Sequence, residues 1–408
     1  MTCGALLAML MALVACGGQD GASAPSTSAP APVGAAAGSA DSTTESTGTT
    51  VVAPSDGERL AALDAARVRG RAPGAIAVVL DGDERWAGAV GDATVDGVAA
   101  DPSMRFRAAS IAKPVVAALV LRSVADGHLA LDDLVHPLVG DVLRPQPPIT
   151  VRQMLDHTSG VFDLGNEGDV VDAAARVADP AQRAQADDLI ARALAGESVV
   201  VPAELLVAGA ETYDRYFEPG TGFHYSNLNY QLAGMVLEAV EGRALHEVLE
   251  AVVVRPLGLE RTSLAPADRS SPDLRGYAVA GDGSSPVDLT DDLTYFGNGG
   301  NGGLLTTADE LALIFRALLA GDVIPDRLVD EMLTPSAPAA AAGGTYGLGI
   351  GTYGLSCGTF YGHEGGVNGT ASIAVADRTG QRVVVAALNG RAGINPHLPV
   401  LAEQLLCG

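Results

Sequence analysis

Two patterns of apolar residues predict the first elements of the folded part of the chain. Apolar positions recur at helical spacing over residues 55–69, which predicts a helix with Ser55 or Asp56 as its cap. The apolar runs 75–80 and 85–90 are separated by a short Asp-Gly-Asp turn, which is typical of a β-hairpin. The fold is therefore expected to begin with a helix followed by two paired strands.

A third, longer apolar run covers residues 110–124 and ends at Asp126-Gly127, which predicts a mostly buried helix. Pro114 falls in the first turns of this helix, where the loss of one backbone hydrogen bond is tolerated. Ser110 therefore lies near the helix N-terminus, where free N–H groups and the helix dipole favour a developing alkoxide.

Helical patterns dominate the middle of the chain and strand patterns the C-terminal part. Helices are predicted over 150–155, 173–195, 228–240, 246–254 and 307–319. Strands are predicted over 346–351, 359–363, 370–376 and 382–388, with a closing helix over 399–406. Strands at both ends with helices between them predict one sheet built from the two termini, with a helical insertion.

The N-terminal segment has the features of a leader. Residues 5–15 form an uninterrupted apolar run that is too short to span a bilayer as a helix, as in the hydrophobic region of a signal peptide. The run ends in Leu13-Val14-Ala15-Cys16 and two glycines, which resembles a bacterial lipobox. The resemblance implies a signal peptide over 1–16, a lipid on Cys16 and a position on the membrane outside the cytoplasm. A plain secretory signal with an incidental cysteine is the alternative.

A tether and a folded domain are expected to follow the leader. Residues 17–54 are almost entirely Ser, Thr, Ala, Gly and Pro, which predicts a flexible linker, so the domain covers 55–408. In an oxidising compartment, Cys357 and Cys407 are expected to form a disulfide that ties the C-terminal segment to the sheet. Two free buried thiols are the alternative.

The charge and the remaining motifs exclude several classes of function. The formal net charge is −24, which argues against nucleic acid and leaves the lipid anchor as the expected membrane contact. The histidines lack metal-ligand spacing, so neither a metal nor another cofactor is expected. The one G-x-S-x-G match, residues 354–358, lies between two predicted strands and not between a strand and a helix, so an α/β-hydrolase is not expected. We expect a monomer whose partner is a small-molecule or peptide substrate.

The single lysine is the strongest chemical signal. Of the 25 Lys and Arg residues only Lys113 is a lysine, and it lies three residues after a serine in Ser110-Ile111-Ala112-Lys113. Arginine keeps its proton, whereas a desolvated lysine amine can lose it. Positions i and i+3 share a helix face, so the Ser110 hydroxyl and the Lys113 amine can meet. This pattern predicts a nucleophilic serine activated by an adjacent base.

Two further motifs follow in order, Tyr225-Ser226-Asn227 and His363-Glu364-Gly365-Gly366. The set resembles the penicillin-recognising serine hydrolases, which include class C β-lactamases, D-alanyl-D-alanine carboxypeptidases, D-aminopeptidases and related esterases. The flanks 150–160, 219–220, 255–259 and 302–307 are similar too, and the likeness covers about residues 57 to 390. It implies a β-lactamase/transpeptidase-like α/β fold, in which an antiparallel sheet from both termini carries helices on both faces and a helical subdomain.

The resemblance also implies a role for each motif residue. Ser110 is the nucleophile, Lys113 and Tyr225 share a proton network, and Asn227 steadies Lys113 and contacts the substrate. Tyr225, with a pKa lowered by the ammonium, is expected to protonate the leaving group. His363 takes the place of a cationic or donor residue on the strand that lines the cleft.

The oxyanion hole is expected to come from the backbone N–H groups of Ser110 and Gly366. The neighbouring Glu364 and Gly365 are expected to influence substrate choice. Glu364 replaces a threonine that helps the relatives bind the substrate carboxylate, so a carboxylate facing the cleft disfavours anionic substrates.

The sequence therefore predicts a serine hydrolase that acts through an acyl-serine on a small ester, amide or peptide outside the cytoplasm. Two alternatives remain. One is a D-alanyl-D-alanine carboxypeptidase or β-lactamase, and the other is a non-catalytic protein that binds peptides or muropeptides in the same cleft.

Overall fold

The computed structural model describes residues 53–168, 170–279, 285–294, 296–367, 369–391 and 397–408. The predicted signal peptide, Cys16 and the linker up to residue 52 lie outside these ranges. Within them, no helix has both the length and the apolar character that crossing a membrane requires.

The first half of the chain is mostly helical, and the second half carries most of the strands. The first half contains α1 (Asp56–Arg69), β1 (Gly74–Asp81), β2 (Glu84–Gly91), β3 (Arg105–Arg107), α2 (Ala112–Ala125), α3 (His136–Val139), α4 (Val151–Leu155), α5 (Leu164–Glu167), α6 (Val170–Arg176), α7 (Pro180–Leu194) and α8 (Ala203–Ala210). The second half contains α9 (Leu228–Glu241), α10 (Leu245–Leu249), β4 (Ser263–Leu264), β5 (Tyr277–Ala278), β6 (Val287–Asp288), β7 (Leu304–Thr307), α11 (Ala308–Ala320), α12 (Asp326–Leu333), α13 (Ala337–Ala341), β8 (Gly351–Leu355), β9 (Gly358–Val367), β10 (Thr370–Asp377), β11 (Arg382–Leu388), β12 (Gly390–Arg391) and α14 (Leu398–Leu406).

The main sheet joins both ends of the domain, as predicted. Its strand order is β2-β1-β11-β10-β9-β8, and neighbouring strands are antiparallel. The central strands β1, β10 and β11 are buried almost from end to end. Burial on both faces explains why they are runs of Val, Ile and Ala without polar alternation.

Helices cover both faces of this sheet. On one face, Leu63 of α1 and Leu401 of α14 pack with Ile373 of β10. On the other face, α11 packs across β1, β10 and β11, and the core continues into the helical part around α2 and α9. The cleft residues lie where β9 meets the start of α2.

Local signals explain how two of the predicted helices begin. Ser55 and Glu58 form a reciprocal capping box at the start of α1, which confirms Ser55 as the cap. The buried helix α2 starts at Ala112, after a 3₁₀ turn over Ala109–Ile111, so Pro114 lies in its first turn as expected.

Two sequence predictions were wrong. The helix predicted over 173–195 is two helices, because Asp179 caps a new start at Pro180, which lacks an N–H to continue the preceding helix. The strand predicted over 346–351 is a turn, which shares only a bridge between Tyr346 and Gly351. Gly349 adopts φ +80 there, and a Cβ on it would lie 2.4 Å from the Tyr230 hydroxyl.

Three further features were not predicted. The helix expected over 246–254 continues from α10 as a π-helix over Glu250–Val254. Two small sheets, β3-β7-β4 and β12-β5-β6, form in addition to the main sheet. Their strands have only two to four residues, too few for a periodic pattern.

Candidate active site

Ser110 and Lys113 face each other at the start of α2, as the i, i+3 spacing predicted. Lys113 Nζ lies 2.9 Å from Ser110 Oγ, 2.8 Å from Asn227 Oδ1 and 2.7 Å from the backbone oxygen of Asn301. The residue before the serine, Ala109, has φ +54, a conformation that costs energy for any residue with a side chain. The backbone strain at Ala109 thus accompanies the turn that places Ser110 beside the amine.

The amine of Lys113 is completely buried, with no exposed surface. Burial lowers its pKa from 10.5 to about 7, while the negative charge of Asp163 opposes that shift. A neutral amine has two N–H donors and one lone pair. The Asn227 and Asn301 oxygens can only accept, so they take the two donors and the lone pair is left for the Ser110 hydroxyl.

Tyr225 lies on the other side of the serine hydroxyl. Its phenol lies close enough to the Ser110 side chain to interact with it, and Lys113 Nζ lies 4.9 Å from the centre of its ring. The prediction that the ammonium lowers the pKa of Tyr225 was wrong: burial raises it. A phenol with a raised pKa keeps its proton at neutral pH, so within this pair the Tyr225 phenol can donate a proton and the Lys113 amine can accept one.

A buried histidine, His157, packs against the ring of Tyr225. The sequence motifs assign no role to it. His157 has no exposed surface, and its ring centre lies 4.4 Å from that of Tyr225. Its Nδ1 accepts a hydrogen bond of 3.2 Å from the backbone N–H of Ser226. Burial and the charge of Lys113 hold the pKa of His157 well below its usual value, so this ring is a neutral support for the Tyr-Ser-Asn segment.

His363 lies near this cluster, and of its two expected roles, cation or hydrogen-bond donor, the cationic one is not supported. Its Nδ1 faces the backbone oxygen of Glu364, and its Nε2 lies 3.0 Å from the Tyr346 hydroxyl. Burial, reinforced by the charge of Lys113, lowers the pKa of His363 to about 3. The imidazole is therefore neutral and both of its nitrogens have partners within the protein.

Gly365 is required for packing, and its expected influence on substrate choice stays a prediction. A Cβ on Gly365 would lie 2.2 Å from the Ala108 oxygen and 2.5 Å from Ser372 Oγ. The Ser372 hydroxyl also donates to the Ala108 oxygen at 3.1 Å. Only glycine lets strand β9 approach the turn that carries Ser110 this closely.

The same strand presents Gly366 at an unpaired edge. β8 pairs with β9 only up to Gly362, and the Thr352 N–H donates to the Thr345 oxygen and not to β9, so Gly351 and Gly362 form the hydrogen-bonded pair there. The N–H of Gly362, and therefore that of Glu364, faces this edge. Residues two apart in a strand direct their N–H groups to the same edge, so the Gly366 N–H also points away from β10. This is the edge next to Ser110, where the oxyanion hole was expected.

Glu364 lies on the sheet face opposite His363. In the β9–β10 pairing it is opposite Ile373, which belongs to the core under α1 and α14, whereas His363 is opposite Ala374 of the other core. Burial raises the pKa of the Glu364 carboxyl to about 7. Direct repulsion of an anionic substrate by this side chain is therefore not supported by its position.

The remaining predicted residues are placed as follows. Cys357 and Cys407 form a disulfide between the turn that precedes β9 and the end of α14, with a Cα–Cα distance of 5.4 Å. Cys16 lies outside the described residues. Over the described ranges, no group of three or more His, Cys, Asp or Glu side chains is arranged to hold a metal ion.

Four contributors to the site have no role assigned from the sequence: His157, Asp163, Asn301 and Tyr346. The first lies in the His-Thr-Ser-Gly flank, and Asn301 directly precedes the Gly302-Gly303 flank, so both segments carried a signal. Asp163 and Tyr346 are recognised only from the fold, because their partners lie 64 and 17 residues away.

The comparisons with known proteins agree with this geometry. A family model described as Beta-lactamase matches residues 58–403. The chain belongs to this family. As a member of the Beta-lactamase family it is a serine hydrolase on a β-lactamase/transpeptidase-like fold, which confirms the family, the fold class and the enzyme class predicted from the sequence.

Three relatives illustrate the range of the family. The D-stereospecific amidohydrolase from Streptomyces sp. is 30 % identical with a TM-score of 0.71, covering 86 % of this chain and 98 % of that chain. Esterase EstB of Burkholderia gladioli is 33 % identical over 172 residues, or 40 % of this chain and 39 % of the esterase. The lovastatin esterase of Penicillium rubens is 28 % identical over 250 residues, or 57 % and 53 %. The chain thus spans less than two thirds of either curated esterase.

Proposed function

We propose that this chain hydrolyses small esters and amides that lack a carboxylate near the scissile bond, through a covalent acyl-Ser110 intermediate. The observation that carries the proposal is the buried Lys113 amine, whose pKa of about 7 leaves a lone pair for Ser110 at neutral pH. A base with a pKa near the working pH is the most effective proton acceptor.

In the proposed mechanism each step of acyl transfer has its own group. Lys113 takes the hydroxyl proton as Ser110 Oγ bonds to the substrate carbonyl carbon. The N–H groups of Ser110 and Gly366 stabilise the resulting oxyanion. Tyr225 gives its proton to the leaving alcohol or amine and is reprotonated by Lys113, which returns the proton that it took from Ser110. Water then hydrolyses the ester bond to Ser110 in the reverse sense.

The proposed preference for substrates without a carboxylate follows from Lys113 and His363, because neither offers a cation that is free to bind one. Lys113 directs its bonds to Ser110, Asn227 and Asn301, and His363 is neutral with both nitrogens occupied. Neither can pair with a substrate carboxylate, which β-lactams and D-Ala-D-Ala peptides carry. The two similar esterases support the ester part of the proposal, and the Streptomyces amidohydrolase supports D-amino-acid amides as a second class.

We also propose that the domain works outside the cytoplasm, tethered through a lipid on Cys16. The disulfide between Cys357 and Cys407 supports this location, because such bonds persist in oxidising compartments. A monomeric state, the linker and the signal peptide stay predictions from the sequence.

A panel of substrates tests the proposal and its alternatives. Purified protein and its Ser110→Ala variant are assayed with p-nitrophenyl acetate, D-phenylalanine amide, nitrocefin and a D-Ala-D-Ala peptide. We expect Ser110-dependent turnover of the first two and much slower turnover of the last two. Fastest turnover of nitrocefin or the peptide would favour the β-lactamase or carboxypeptidase alternative. Binding of the peptide with no turnover of any compound would favour the non-catalytic alternative.

A further inference from the structure

A buried carboxylate, Asp163, contacts Asn227, which in turn contacts Lys113 beside Ser110. Asp163, just before α5, is only 1 % exposed. Its Oδ2 accepts hydrogen bonds from Asn227 Nδ2 at 3.1 Å and from Asn166 Nδ2 at 2.7 Å. Its backbone N–H donates to the Tyr216 hydroxyl at 3.2 Å, which holds the residue in place. Asp163 does not touch Ser110, so any effect on the reaction must pass through Asn227.

The contact with Asp163 fixes which way the Asn227 amide points. An amide has a donor end and an acceptor end, and the carboxylate oxygen accepts from the donor end. The acceptor end, Oδ1, is thereby directed to Lys113 Nζ at 2.8 Å. If the amide turned over, Nδ2 would face the amine and Oδ1 would face the carboxylate, an arrangement that leaves two acceptors in contact in a buried site.

The orientation of this amide decides where the lone pair of Lys113 points. With Oδ1 of Asn227 and the Asn301 oxygen taking both N–H donors, the lone pair is left for the Ser110 hydroxyl. A reversed amide would donate to the amine and draw its lone pair away from the serine. We propose that Asp163 is a positioning residue that, through Asn227, aims the lone pair of Lys113 at Ser110. This inference rests on the proposed acyl-serine function.

The charge of Asp163 adds a second, measurable effect. It raises the pKa of Lys113 against the larger opposite effect of burial. The other titratable groups around the amine are the two rings it lies over and the two neutral histidines that feel its charge: Tyr225, Tyr230, His157 and His363. Asp163 is therefore the carboxylate whose removal is expected to shift the titration of Lys113.

Asp163→Asn and Asp163→Ala separate the two effects. The asparagine keeps an acceptor for Asn227 and loses the charge, so the pKa of Lys113 falls. The acid limb of kcat/KM for p-nitrophenyl acetate should then move about one pH unit to lower pH. The alanine variant also loses the acceptor, so its plateau kcat/KM should fall about tenfold to hundredfold, the size of one charge-assisted hydrogen bond. A purely structural role would lower the melting temperature without moving the limb.

Asn166→Ala is the matched control, because it removes the other donor to the same carboxylate and leaves the link to Lys113 intact. We expect the acid limb of its pH profile and its plateau kcat/KM to match those of the wild type. In an Asn227→Ala background, Asp163→Ala should cost little more, since the path to Lys113 is already broken.

The outcomes distinguish this inference from the function on which it rests. Wild-type protein without Ser110-dependent turnover overturns the acyl-serine function and this inference with it. If the wild type is active but the acid limb of the kcat/KM profile does not move in Asp163→Asn, only the positioning role is overturned. If the alanine variant does not fold, the near-isosteric asparagine variant still decides.

Discussion

Gly365→Ala tests whether the spacing between β9 and the nucleophile turn controls the reaction. The new Cβ would lie 2.2 Å from the Ala108 oxygen, and real Cβ atoms essentially never come closer than 3.0 Å to another atom. Strand and turn must therefore part by at least 0.8 Å. The shift separates the Gly366 N–H from Ser110, the two ends of the proposed oxyanion hole. A misplacement of about 1 Å costs on the order of 10²-fold in rate.

The assay is kcat/KM for p-nitrophenyl acetate together with a thermal melt of each variant. We expect kcat to fall about 10²-fold, or roughly 2.7 kcal/mol at the transition state, with a smaller change in KM. Gly354→Ala is the matched control, because Gly354 lies in neighbouring β8 and a Cβ there meets nothing within 4 Å. A Gly365→Ala protein with the melting temperature and kcat of the wild type would refute this dependence on spacing.

The buried amine and the disulfide give three more expected outcomes. kcat/KM for a neutral ester should rise with pH and level off above an apparent pKa of about 7, because Lys113 must lose its proton to act; a profile flat through that pH would exclude the lysine as base. Lys113→Arg should lose about 10³-fold or more in kcat, as Lys113→Ala does, because arginine keeps its proton; near-native activity would make Lys113 a structural cation. Replacing Cys357 and Cys407 by alanine should lower the free energy of unfolding by about 2–5 kcal/mol in urea titrations, and an unchanged midpoint would contradict a stabilising bridge.

Functional residues that lie close together in the sequence could be predicted without the structure. The Ser110–Lys113 pair follows from helix geometry, and its lysine is unique in composition. The central strands were predictable because burial on both faces leaves them as apolar runs. The turn at 346–351 was not, because its apolar positions resemble a strand and the close contact of Gly349 with Tyr230 appears only after folding.

The electrostatics of the site could not be predicted, since they depend on burial. The motif puts His363 in the place of a cationic or donor residue, and burial beside Tyr346 keeps its imidazole neutral. The same burial raises the pKa of Tyr225 and overrides the charge of Lys113. Asp163 contacts Asn227 across 64 residues of chain, a separation at which no sequence pattern indicates contact.

Covalent acylation of Ser110 is the step on which the proposed mechanism depends. Intact-protein mass spectrometry after treatment with a fluorophosphonate or a slowly hydrolysed ester, followed by peptide mapping, tests it most directly. We expect one added group per chain, located on the peptide that contains Ser110 and absent from Ser110→Ala. Lys113→Arg should be labelled far more slowly than the wild type. A label that persists in Ser110→Ala, or turnover of the ester by that variant at the wild-type rate, would contradict the acyl-Ser110 mechanism.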